Sequence, residues 1–260
     1  MTDTGLLGRL HAALRERAER TAVRHLVLGL GYTAVLLEDG GAGLAYTWRD
    51  GTAGCSHEHG WGDAEGAPAV RLLDLLLAGG GLQRSIGMAA ANALNHAAAL
   101  RLPEDDGPAG SLVRQLGIAR GTRVSMVGFF PPVARVLREL GAELDVVDDA
   151  KGIGDQGEFG ERLTKWAEVL IMTSTALLGG TADGLLAAAG SSTRVALLGP
   201  STPLVPAIFE GTRVELLGGM VPRDAESVLR TVRHGGGTRD FSRFCRKVYC
   251  VPGQASGGSS

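Results

Sequence analysis

VALLGPSTPLVPAIFEG (195–211) decides the fold. An apolar run ends in Gly, Pro, Ser and Thr, and a second apolar run follows. This reads as a buried strand, a tight turn and a helix over 203–210. The same plan recurs in VSMVGFFPP (124–132), VLIMTSTALLGGT (169–181) and VELLGGMVPRD (214–224). Strand-then-helix units repeated in this way build a parallel, doubly wound sheet. Their endings all emerge at the carboxyl edge of the sheet, where ligand crevices form. The four loops are therefore expected to converge on one site.

Outward from that stretch, strands are predicted at 123–128, 143–147, 169–172, 194–198 and 214–217, with a last one near 247–251. Helices are predicted at 132–141, 158–167, 182–189 and 224–233. LPEDDGPAGS (102–111) has the Pro, Gly and acid content of a linker. The chain before it is of a different kind. MTDTGLLGRLHAALRERAER (1–20) is an amphipathic helix. HLVLGLGYTAVLLEDGGAGLAYTW (25–48) reads as strands joined at Asp39-Gly40-Gly41, a hairpin signal. A polar loop at 51–66 and helices at 67–79 and 82–100 complete an α+β unit. The expectation is two domains, 1–101 (α+β) and 112–252 (a Rossmann-like α/β sheet).

Composition excludes several classes. Hydrophobic content of 44% and charged content of 21% are ordinary for a globular protein. A net charge of −2 leaves no electrostatic footprint for nucleic acid. No window approaches the roughly 18 apolar residues of a membrane span, and the amino terminus does not read as a signal peptide. Cys55, Cys245 and Cys250 lack the regular spacing of a disulfide framework, which points to a reducing, cytoplasmic setting. The 40 glycines imply many tight turns. Lysine stands only at Lys151, Lys165 and Lys247, a scarcity that reads as base composition.

Dinucleotide fingerprints are weak. Gly29-Leu30-Gly31-Tyr32-Thr33-Ala34 fits G-x-G-x-x-A, but the alternating TAVLLE that follows is a strand, not the helix a pyrophosphate needs. Gly152-Ile153-Gly154-Asp155-Gln156-Gly157 precedes a helix but follows the second strand of its unit. A mobile loop is preferred there over a pyrophosphate cradle. Cys55-Ser56-His57-Glu58-His59 packs soft and borderline metal donors into one loop, with Cys55 and His57 as candidate ligands of a transition-metal ion. In GPSTP, Ser201 or Thr202 occupies an N-cap position and Pro203 suits a first helical turn, which would leave N–H groups for an anion. Thr181 could cap the helix that follows it.

At these residues the chain resembles the heavy-metal-chelation family, which joins an enolase amino-terminal-like domain to a Rossmann-like domain. LGLGYTAVLLEDGGAGLAYT, SIGMAAANAL, VSMVGFFPP, TSTALLGGT, LLGPSTPLVPAIFEG and LLGGMVPRD carry the resemblance. It implies a site between the two domains. Position by position, it implies roles for Asn92 of the Ala-rich helix and for Gly128 and Phe129 of the first turn. It extends to Thr175 and Thr181 of the hydroxyl-bearing loop, Pro200 and Ser201 of the GPS turn, and Asp224 after the last strand. One departure stands out: where the family commonly has Asn before Thr181, this chain has Gly179.

The expected function is binding of a metal or metal chelate in the interdomain cleft. The alternative is an enzyme of small-molecule metabolism holding an anionic substrate or nucleotide at the Gly-Pro-Ser-Thr helix terminus. Expected partners are a small-molecule or metal ligand and, as the one assembly left open, a second copy in a homodimer. Neither nucleic acid nor a membrane is expected.

Overall fold

The computed structural model describes residues 5–49, 61–105, 107 and 109–253. Helix α1 (Leu6–Arg20) opens the chain and buries Leu6, Leu10, Leu14 and Ala18. That spacing of four lays one apolar stripe along a helix. Strands β1 (Val23–Leu28), β2 (Tyr32–Leu37) and β3 (Ala42–Tyr46) form an antiparallel sheet in the order β1-β2-β3. The predicted hairpin joins β2 to β3. Gly40 has φ +85°, and the Asp39 carboxylate accepts the Gly41 N–H at 3.0 Å. Gly29 to Gly31 make the turn between β1 and β2, so the first glycine pattern is structural.

Short helix α2 (Val70–Leu73) and a 3-10 turn (Asp74–Leu77) lead to α3 (Gly81–Leu94) and then to α4 (His96–Ala99). Ile86 and Met88 to Ala91 of α3 are all buried. The Ala-rich surface of α3 meets β3 where Gly43 has no side chain. A methyl group there would run into the Ala89 carbonyl oxygen and the Ala93 nitrogen. Small residues on both elements thus let a helix lie directly on a strand backbone.

The second half begins with α5 (Gly110–Gln115), which starts within the last two residues of the expected linker. Strands β4 (Arg123–Val127), β5 (Glu143–Val147), β6 (Val169–Thr173), β7 (Arg194–Leu198) and β8 (Val214–Pro222) are parallel, and β9 (Cys245–Cys250) runs antiparallel to β8. The order is β5-β4-β6-β7-β8-β9. Helices α6 (Pro131–Leu140), α7 (Gln156–Lys165), α8 (Thr175–Leu178), α9 (Ala182–Ala188), α10 (Ala225–Arg233) and α11 (Thr238–Phe241) alternate with or follow these strands. Both faces of the sheet are covered. In β6, Val169 and Ile171 join the apolar cluster with α5 and α6, while Leu170 and Met172 join the cluster that includes α1, α3 and α7. The expected mixed α/β fold, with a smaller α+β part before a mostly parallel sheet, is the one observed.

The two sheets are not separate bodies joined by a tether. Ala34, Leu36, Ala42 and Leu44 of the small sheet pack against Val228, Leu229 and Val232 of α10. The small sheet therefore sits between α3 on one face and α10 on the other. The Pro-rich linker is also fastened. The Asp105 N–H donates to the Lys247 carbonyl (2.9 Å) and the Tyr249 N–H to the Pro103 carbonyl (3.1 Å), so the linker runs beside β9.

Several predicted elements differ: the helix expected at 67–79 is only α2 and its 3-10 turn, and that at 82–100 is divided into α3 and α4. The helix expected over 203–210 is only a 3-10 turn at Pro206–Phe209. Pro203 and Pro206 have no N–H to donate, and the Leu204 carbonyl accepts the Asn95 side-chain amide (2.6 Å) instead of a helical partner. Strand β8, expected to stop at 217, continues to Pro222 because β9 pairs with its second half. Gly43→Ala should destabilise the fold by about 3 kcal/mol, as overpacking against backbone does at the upper end of its usual range. Urea unfolding monitored by far-UV circular dichroism will measure it, and a loss within error of zero would mean that α3 does not lie against β3.

Candidate functional site

In an open parallel sheet, the ligand crevice lies where consecutive strands leave in opposite directions from a common neighbour. Here β4 connects outward to β5 on one side, and the chain then crosses to β6 on the other. By that rule a ligand is expected beyond the carboxyl ends of β4 and β6, with Gly128 and Phe129 on one lip and Thr173 to Thr175 on the other. Gly128 has φ +81°, and a side chain there would meet the Thr173 Cβ and Cγ2 at 2.9 Å. The two lips are as close as a glycine permits.

Backbone anion binding is largely used up at this turn. The Gly128 N–H donates to the Val147 carbonyl (2.8 Å), and the Phe129 N–H donates to Asp148 Oδ2 (2.8 Å). Helix α6 then begins with Pro131 and Pro132, which have no N–H. A helix terminus stripped of these donors cannot cradle a pyrophosphate in the usual way. What the crevice offers instead is side chains. Lys151 Nζ lies 2.6 Å from Asp148 Oδ2 and 5.9 Å from the centre of the Phe129 ring. On the opposite lip, the Thr173 and Thr175 hydroxyls are 3.0 Å apart.

Asp148 is the organising group. Its side chain is only 9% exposed and receives Lys151 Nζ, the Phe129 N–H and the Lys151 N–H. Burial pushes its carboxyl upward, but the lysine and the two N–H groups outweigh it and hold the carboxyl below its ordinary value. The glycine loop after it is a hydrogen-bonded turn. The Ile153 N–H donates to the Asp148 carbonyl, Gly154 has φ +79° against the Val146 carbonyl oxygen, and Asp155 caps α7 by accepting the Glu158 N–H (3.0 Å).

The other expected site residues are dispersed. Ser201 is buried, and its Oγ accepts the Tyr46 N–H at 2.8 Å, which ties β3 to the turn after β7. No helix starts at this Gly-Pro-Ser-Thr turn, so the expected anion-binding helix terminus does not exist. Pro200 and Ser201 serve the junction between the sheets. The Asn92 side-chain amide donates to the Leu44 carbonyl (2.9 Å). The crevice that Asn92 shares with Asn95, Thr202 and Leu204 measures about 10 Å³, room for about one water. Thr181 stands at the cap of α9, but its hydroxyl makes no cap bond and approaches only the Ala176 carbonyl, at 3.5 Å. Asp224 caps α10. The hydroxyl and the N–H of Ser227 hold its carboxyl below the ordinary range, so it is spent on the helix.

Metal donors are sparse where the structure can be read. Cys55 and His57 lie outside the described residues. Among the described residues no three His, Cys, Asp or Glu side chains are grouped to hold a metal ion. Burial pushes the Cys245 and Cys250 thiols up to about 12, which leaves them protonated at neutral pH and poor ligands. Gly179, where an amide was expected from the resemblance, has the Trp48 indole over it, with Cη2 and Cζ2 3.1 Å from where a Cβ would be.

Residues 111–251 match the model of the DUF364 family, described as "Putative heavy-metal chelation". The chain belongs to the DUF364 family. Residues 11–95 match a second model, DUF4213, with the same description. Two solved structures from the DUF364 family, both of unknown function, share the fold. One, from Pyrococcus horikoshii, is 24% identical with a TM-score of 0.78, over 95% of this chain and 99% of its own. The other, from Desulfitobacterium hafniense DCB-2, is 22% identical with a TM-score of 0.77, over 96% and 100%. Among curated proteins, none matches. Among the described residues, no helix is long and apolar enough to cross a membrane.

The sequence reading missed Asp148, Lys151 and Thr173. A signal for the pair existed: an acid directly after a predicted strand, followed by one of the chain's rare lysines. Asp148→Asn should cost about 1–3 kcal/mol at neutral pH, the range for breaking a buried charge-assisted bond. The folded carboxyl titrates below its unfolded value, so its contribution is full above about pH 4 and is lost as pH falls through the folded value. The difference between parent and variant in urea midpoint should therefore shrink in acid, and a gap unchanged by pH would contradict the role given to Asp148.

Proposed function

We propose that the protein binds an anionic metal chelate, not a bare metal ion, in the crevice beyond β4 and β6. In this reading Lys151, held by Asp148, meets the negative charge of the chelate. Thr173 and Thr175 offer hydroxyls to its oxygens, and Gly128 keeps the crevice narrow. The observation that carries the reading is the Lys151–Asp148 pair at a topological switch point whose backbone donors are already committed. The Lys151 ammonium, paired with Asp148 but half-exposed, would favour carboxylate-bearing ligands around a metal over the bare cation. The family description supports the metal, and the character of the crevice supports the chelate. Residues 1–101 and 112–252 would act as two units, with the site in the second. Cys55 and His57 would be the chain's own donors to a soft metal.

Calorimetric titration of tag-free protein with Ni²⁺, with the nickel–citrate chelate and with citrate tests the reading. The chelate should bind more tightly than Ni²⁺ alone. Lys151→Ala should weaken chelate binding about tenfold, the equivalent of one partly screened charged contact. Tight, stoichiometric binding of Ni²⁺ alone, unaffected by Lys151→Ala, would overturn it.

A further inference from the structure

Helix α10 and the segment that returns beside it form a helical hairpin. Gly235, with φ +78°, turns the chain at one end, and at the other the Arg223 and Asp224 N–H groups donate to the Phe244 carbonyl (2.8 and 3.1 Å). Val228, Leu229 and Val232 of α10 and Phe241 of α11 are buried against the small sheet. The outward side carries Arg223, Arg230, Arg233, Arg239 and Arg243, all exposed. Arg230 and Arg233 lie three residues apart and Arg239 and Arg243 four, so each pair shares one face of its helical run.

Among the described residues, none of these five guanidinium groups is in an ion pair. Arg230 Nη2 donates to Ser227 Oγ (3.0 Å), and Arg243 lies over the Phe244 ring, 4.7 Å from its centre. Two of the hairpin's own acids serve helix starts: Asp224 accepts the Ser227 N–H (3.0 Å) and Asp240 the Gly237 N–H (2.8 Å). Arg230 and Arg233 suit the carboxyl end of α10, where the helix dipole favours cations. Arg223 stands before α10 and Arg239 in the first turn of α11, where helix stability does not call for a cation. Beside the glycine turn the surface becomes apolar, with Leu30 70% exposed and Tyr46 39%. Leu30 Cδ1 lies 3.0 Å from where a Gly235 Cβ would be, and Tyr32 sets its ring edge-on to those of Tyr46 (5.9 Å) and Phe241 (4.8 Å). Arginine and tyrosine around an apolar spot are the composition of protein interfaces.

We infer that the outward side of this hairpin docks an acidic segment of a partner protein, with an apolar side chain of that segment resting on Leu30 and Tyr46. Guanidinium forks match carboxylates, and arginines outside ion pairs have no competing carboxylate to give up. Arginine matches phosphate equally well, but Asp224, Glu226 and Asp240 are exposed and interleaved with the arginines. A nucleic-acid backbone or an anionic membrane presents charge of one sign and would meet these acids as repulsion. A polypeptide can place its carboxylates opposite the arginines alone. This inference does not rest on the chelate reading and uses none of its residues.

The test is fluorescence anisotropy with a labelled Glu-rich peptide carrying one Phe, the same peptide with Ser in place of Phe, and an oligothymidylate of equal charge. Co-sedimentation with phosphatidylglycerol vesicles runs beside it. The Phe peptide should bind saturably and more tightly than the Ser peptide. Arg233→Glu/Arg239→Glu should weaken it about tenfold, and the milder Arg233→Gln/Arg239→Gln about threefold, as loss of two screened contacts would do. Arg135→Glu/Arg138→Glu makes the same charge change on the exposed side of α6 and should leave binding within about twofold. Leu30→Ser should weaken the Phe peptide and spare the Ser peptide. The proposal is overturned if the Phe peptide does not bind saturably, if both Glu double variants lose equally, or if the oligothymidylate or the vesicles bind more tightly than the peptide.

Discussion

The hydrogen in place of a side chain at Gly43 is the constraint on which the arrangement of the molecule depends. It lets α3 rest on the backbone of β3, and α3 is then close enough to reach both sheets. From this one helix, Asn92 bonds to β3 at Leu44, Arg84 Nε donates to the Leu178 carbonyl of α8 (2.6 Å), and Asn95, the residue after it, bonds to Leu204 beyond β7. With α10 on the opposite face of the small sheet, β2 is buried on both sides. A three-stranded sheet needs such cover to be stable.

The same close packing explains why the junction between the sheets is not where a ligand of any size fits. Asn92 and Ser201 have the polar character of binding residues, and both spend it on backbone groups of the small sheet. Polar atoms buried between packed layers must find partners inside the protein, and these two do. The residues that keep exposed chemistry lie elsewhere, where Lys151 reaches out from a strand end that Asp148 anchors.

Much of the fold was legible in the sequence. Strands β5 and β7 fall at the predicted bounds, because a short apolar run bordered by turn residues has few alternatives. The helix misplaced at 203–210 shows where local reading fails. GPSTPL carries cap residues in order, but its fate was decided by Tyr46 and Asn95, both far away in sequence. The site was legible as a place more than as a set of groups. Strand endings located the carboxyl edge, whereas the roles of Asp148 and Lys151 depend on a turn whose geometry comes from Gly154 lying against Val146. Asp224 misled for the converse reason: a carboxylate after a strand looks the same in sequence whether it faces a ligand or closes a helix.

The Trp48 indole over Gly179 has an optical consequence. The chain has 3 tryptophans. Trp166 lies at the far end of α7 and stacks on the Arg162 guanidinium, 4.5 Å from its ring centre. Trp48 instead rests against the segment that continues from the Thr173–Thr175 lip. A rearrangement of that lip would change the polarity around this indole. With no side chain at Gly179, the Trp48 indole lies close beside that lip, and its emission can serve as a gauge of what happens there.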